Sequence, residues 1–166
     1  MATRTIYLLT WRCFSSQRAH FSIFVPSAAD QKGTLIHVIG TPMTGYSLEF
    51  RRNFSLTTPP RHQCMLPIGK TDACNISDPV HATETTDSSP RGKIEIAASQ
   101  VPAPGINENF MAPVNDTTNK RCQEWTMEFI RYLVTQKLIE AEAVQIVQSQ
   151  RDPPDHCTGL RPIRRA

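Results

Sequence analysis

Cys122, His20 and His37 are the residues whose types and positions in this chain point to chemistry. An imidazole beside a thiol takes its proton and leaves a thiolate–imidazolium pair. A second polar group orients that imidazole and stabilises its charge. The thiolate then attacks the acyl carbon of an ester, thioester or amide. Backbone N–H groups at a helix start can hold the resulting oxyanion. Trp11, Ser22 and Arg121 flank the three and are the expected substrate contacts. Each residue also has a plainer reading. Cys122 is a small apolar residue on a core-facing stripe. His20 is a strand-end histidine with its ring in solvent. His37, between Ile36 and Val38, is a core histidine bonded to a backbone carbonyl. The ordered set is more specific than any one member.

The elements that must position them can be read from the pattern. In residues 119–147, Cys122, Trp125, Phe129, Ile130, Leu133 and Val134 recur at helical spacing. Gln123, Glu124, Glu128, Arg131 and Gln136 fall on the other side, and residues 115–119 offer helix-capping side chains. A helix is therefore expected to begin near Cys122, with its N-terminal dipole favouring the thiolate. A break near Lys137 separates it from a short helix over 139–148. Upstream, 5–11, 20–25, 34–39, 46–54 and 63–68 read as strands, with Pro67 pointing to an edge position or a strand end. Arg51 and Arg52 suggest an exposed end. If the hairpin joining the second and third strands pairs residues whose numbers sum to an odd value, His20 and His37 share a face within side-chain reach. A helix covering that face brings Cys122 to them. Residues 72–91 read as an irregular insertion, 93–100 as a short helix and 151–166 as a flexible tail. Strands first and helices after predict one α+β domain over 1–150, an antiparallel sheet covered by a long C-terminal helix.

Composition narrows the classes. The chain has 166 residues, 39% of them hydrophobic, which suits one domain with a real core. A net charge of +3, partly from Arg161, Arg164 and Arg165, gives no case for nucleic acid. The apolar run 6–9 is too short for a signal peptide or a membrane span, so a soluble cytoplasmic protein is expected. Five cysteines without regular spacing read as reduced thiols. His62, Cys64 and Cys74 lack the spacing of a zinc site, and neither metal nor cofactor is expected.

Three segments carry a resemblance: AHFSIFV with His20, GTLIHVIG with His37, and KRCQEW with Cys122. Together they resemble small fungal proteins of an uncharacterised domain family. The same order is similar to the circularly permuted papain-like superfamily, which includes lecithin retinol acyltransferase-like proteins and the PPPDE peptidases. The resemblance implies a permuted papain-like fold, with Cys122 as nucleophile, His20 as base and His37 as orienting group. It also suggests a place in secondary metabolism. The sequence departs from those relatives at Arg121, where they usually have Asn, and at Phe21, where Trp is more usual. The leading expectation is a thiol-dependent hydrolase or acyltransferase acting on a small-molecule or acyl substrate. Two other classes stand beside it: a non-catalytic accessory or binding protein, and an isomerase or cyclase using the same pocket by acid–base chemistry.

Overall fold

The structure is a computed structural model that describes residues 2–12, 17–28, 31–57 and 63–154. β1 (Thr3–Trp11), β2 (His20–Pro26), β3 (Lys32–Thr41), β4 (Gly45–Ser55) and β5 (Gln63–Asp72) come first. A 3-10 turn (Ala73–Asn75) and β6 (Thr85–Asp87) follow, then α1 (Gly92–Ser99), α2 (Cys122–Thr135) and α3 (Glu142–Gln150). The strands form an antiparallel sheet in the order β5-β1-β2-β3-β4-β6. The α+β class and the edge position of β5 agree with the expectation from the sequence. No helix among the described residues is long and apolar enough to cross a membrane.

Alternation along each strand divides the sheet into two unlike faces. Ile6, Leu8, Phe21, Ile23, Ile36, Val38 and Phe50 point to one face and bury themselves against Trp125, Phe129, Ile130 and Leu133 of α2. Trp125 is fully buried, stacks on Phe129 at 5.2 Å, and donates its Nε1–H to the Val101 carbonyl. The opposite face carries a smaller apolar group, Leu9, Phe24 and Leu35, with Tyr7, Phe54 and Leu56 against it. Phe54 joins that group through a bulge. The β3–β4 register shifts between Gly33 and Leu35, and Asn53 adopts a left-handed φ of 57°, which Asn tolerates better than most residues.

Several expectations are corrected. The cover is not one long C-terminal helix: α2 has 14 residues, α3 that follows it has 9, and α1 packs beside α2. Residues 72–91 are not wholly irregular. They supply the 3-10 turn and β6, which pairs with β4. Arg52 is not exposed but 1% accessible, because Asp87 from that segment and Glu95 from α1 meet its guanidinium at 2.7 and 2.9 Å. Burial of such an ion is tolerable only with this pairing. On α2, Gln123 and Glu124 are buried rather than exposed. Residue Arg121 is the N-cap, and no side chain among 115–119 caps the helix. Asn115 instead spends its carbonyl on the N–H groups of Thr117, Thr118 and Asn119. Finally, Arg151 and Asp152 are docked on the domain rather than loose, while residues 155–166 of the expected tail lie outside the described residues.

Candidate active site

β2 and β3 pair from Pro26 opposite Gly33 to Ile23 opposite Ile36, an odd sum that puts His20, Ser22 and His37 on one face. The backbone pairing stops there, and side chains bridge the two strands beyond it. His20 Nε2 lies 2.9 Å from His37 Nδ1, and Ser22 Oγ lies 3.2 Å from the same nitrogen. On the other side of His37, β4 brings Glu49 directly opposite it, and His37 Nε2 meets Glu49 Oε2 at 2.7 Å. The result is a continuous chain from Glu49 through His37 to His20.

That chain fixes the protons. The Glu49 carboxylate only accepts, so His37 carries its proton on Nε2 and offers Nδ1 as an acceptor. His20 must then donate from Nε2, which leaves the lone pair of its Nδ1 free to take a proton. Burial pushes the His20 imidazole down to about 4, and the neighbouring His37 adds to the shift. Burial also lowers His37. The bond to Glu49 opposes this, while Arg51 adds to the lowering. Both rings are therefore neutral near pH 7. Trp11 and His20 meet edge to face with ring centroids 6.4 Å apart.

Cys122 does not reach this chain as expected. The helix that carries it packs on the other face of the sheet from the histidines. Its thiol arrives at the strand end instead, 3.9 Å from the Ala19 carbonyl, with the backbone N–H of Phe21 directed at the sulfur. It thus grips the backbone on either side of His20 without a hydrogen bond to the His20 ring. The thiolate expected from the helix start is not favoured either. Burial pushes the Cys122 thiol up and Glu124 adds to this, while the Phe21 N–H, Arg18 and the Gln123 N–H oppose it. Desolvation outweighs the helix terminus here because the half-buried thiol sits against the β2 backbone, and Glu124 adds to the rise.

One cavity of about 650 Å³ nevertheless connects these groups: Cys122, His20, His37, Ser22, Trp11 and Arg121 all line it. Its wall is mixed. Leu9, Leu35, Ile39 and Phe54 are apolar, whereas Arg12, Arg18, Arg51 and Arg121 are cationic against the carboxylate of Glu49, the one acidic group in the wall among the described residues. Arg18 is tied to buried Glu124 at 2.8 Å and Arg51 to Glu84 at 2.6 Å. Arg121 donates to the Phe110 carbonyl at 2.6 Å.

Glu49 and Tyr46 are lining residues that sequence reasoning missed. A signal existed for Glu49. The turn around Pro42–Thr44 pairs residues summing to 86, as Thr41 does with Gly45, and this places Glu49 opposite His37. Tyr46 sits on the helix-covered side of β4. Burial, followed by the nearby Cys122, pushes its hydroxyl up to about 12. Of the zinc candidates, Cys64 and Cys74 are exposed free thiols, and His62 lies outside the described residues.

Residues 6–140 match a family of unknown function, DUF6540, and the chain belongs to that family. Comparison with curated proteins and with solved structures gives no match. The matched span contains His20, His37, Glu49 and Cys122.

Proposed function

We propose that the cavity is the site of a thiol-dependent hydrolase or acyltransferase on a permuted papain-like arrangement, acting on an ester, thioester or amide. The observation that carries this reading is the Glu49–His37–His20 chain, whose His20 imidazole keeps an unprotonated Nδ1 and lines the same cavity as Cys122. The resting thiol is protonated, so His20 acts as a general base during attack rather than as the partner of a standing ion pair. The substrate's acyl carbon enters between thiol and imidazole, and binding draws the sulfur toward His20 Nδ1. The S–C bond forms as the thiol proton passes to His20. The imidazolium is stabilised through His37 by Glu49, and backbone N–H groups at the start of α2 hold the oxyanion. Collapse expels the leaving group, which takes the proton from His20. Water or an acceptor then releases the acyl group by the reverse sequence.

The cavity wall suits an acyl compound with an apolar part, lying on Leu9, Leu35 and Phe54, and an anionic part near the arginines. The test is a screen of acyl thioesters and aryl esters against wild type, Cys122→Ala, His20→Ala and Glu49→Gln. Turnover should vanish in Cys122→Ala, slow strongly in His20→Ala and fall less in Glu49→Gln. Turnover unchanged in Cys122→Ala would overturn the reading.

A second reading has its own support. The thiol bonds to the Ala19 carbonyl and not to an imidazole, which suits an isomerase or cyclase working through His20 alone. Activity that survives Cys122→Ala but not His20→Ala would select it.

A further inference from the structure

Asp152 follows α3, twelve positions beyond the last residue of the family match. Its carboxylate nevertheless touches both halves of the site. Oδ2 accepts from the Ala19 N–H at 2.7 Å and from Gln123 Nε2 at 2.9 Å. Oδ1 accepts from Arg12 at 3.1 Å. The Asp152 N–H donates to Gln123 Oε1 at 2.9 Å, and Gln123 Nε2 also donates to the Ala19 carbonyl at 2.9 Å. Ala19 immediately precedes His20, and Gln123 immediately follows Cys122. The Ala19 carbonyl is also the acceptor facing the Cys122 thiol.

The β2–β3 ladder ends at Ile23 and Ile36, so the stretch carrying Ala19 and His20 has no backbone partner on the β3 side. Asp152 supplies the missing constraint: its carboxylate accepts from the Gln123 amide and the Ala19 N–H, and its own N–H donates to Gln123 Oε1. We propose that Asp152 is a positioning residue that fixes the His20 strand against the start of the Cys122 helix, completing the site from outside the family's matched span. This rests on the assignment of His20 and Cys122 to one site, but not on the reaction they perform. Burial opposes the charged form of Asp152. The Ala19 N–H, Gln123 and Arg12 overcome it and hold the carboxyl below its usual range, so the clamp is anionic near neutral pH.

The test uses the full chain and ground-state readouts: iodoacetamide labelling of Cys122 by peptide mapping, and NMR titration of His20. Asp152→Ala should speed Cys122 labelling about tenfold, the loss expected of charge-assisted hydrogen bonds. Labelling of Cys64 and Cys74 should stay unchanged. The His20 titration should move up from about 4 as water enters. Asp152→Asn retains an acceptor for Ala19 and Gln123 at the Oδ2 position but loses the charge and turns an amide donor toward Arg12, so it should give an intermediate result. It also decides the question if the alanine variant does not fold. Arg151→Ala removes the neighbouring ion pairs to Asp116 and Glu124 and serves as the stability control. A lowered melting temperature with wild-type Cys122 labelling and His20 titration would overturn the proposal. Failure of Cys122 as a nucleophile would show in the turnover screen and leave these readouts intact.

Discussion

The two faces of the sheet are built from the same alternating strands but to different ends. The helix-covered face is nearly all apolar, and its polar intruder Arg52 is fully paired. The other face has a small apolar group at one end and the His20–His37–Glu49 chain at the other. Hydrophobic burial, the larger and non-directional term, is concentrated on the first face. On the second face, unpaired strand ends and neutral imidazoles are held by directional bonds. The difference teaches that the apolar core and the candidate site are built separately, with Cys122 reaching the cavity from the helix-covered face.

The sharpest way to break that division is to compare substitutions on the two faces. Trp125→Ala should lower stability by about 3–5 kcal/mol, as expected for deleting a buried aromatic. Denaturant midpoints measure it, and an unchanged midpoint would remove α2 from its place as the core anchor. His37→Ala should cost less, about 1–3 kcal/mol, the penalty for leaving hydrogen-bonding partners unmet. It should nevertheless slow turnover, by less than His20→Ala does, as fits a group that orients the base. A loss as large as that of Trp125→Ala would show the outer face to be structural as well.

How much of this was legible follows from range. The α2 stripe, the buried Trp125 and the shared face of His20 and His37 depend on local periodicity and hairpin parity, and all were readable. Glu49 needed only the centre of the β3–β4 turn. The paired burial of Arg52 was not readable, because its partners Asp87 and Glu95 are 35 and 43 positions away. Asp152 lies 133 positions from Ala19, in a segment without apolar periodicity, so composition suggested a tail. The side from which Cys122 approaches depends on which face the helices cover, and strand alternation alone does not choose between faces.

Smaller effects sharpen the comparison through pH. His20 has a folded value of about 4, below its ordinary value of 6.5. Between these values the unfolded chain binds the proton first. Its contribution to stability is therefore full above about 6.5, is lost as pH falls toward about 4, and declines no further below that. His20→Gln should flatten this part of the stability–pH curve, measured by denaturant melts at fixed pH. An unaltered curve would contradict a buried neutral His20. The thiol gives the smallest effect: Cys122 alkylation should show an inflection above the ordinary thiol value of about 8.5, because burial raises it. An inflection below that value would restore a standing thiolate–imidazolium pair.

The central claim is that Cys122 becomes acylated with His20 as its base. Rapid mixing with a panel of p-nitrophenyl esters, from acetate to decanoate, tests it most directly when followed by acid quench and peptide mapping. The account predicts a p-nitrophenolate burst of one equivalent per chain, with the acyl mass on Cys122. The burst should be absent in Cys122→Ala and strongly slowed in His20→Ala. Acylation spread over Cys64 and Cys74, or acylation of Cys122 at the same rate in His20→Ala, would contradict it.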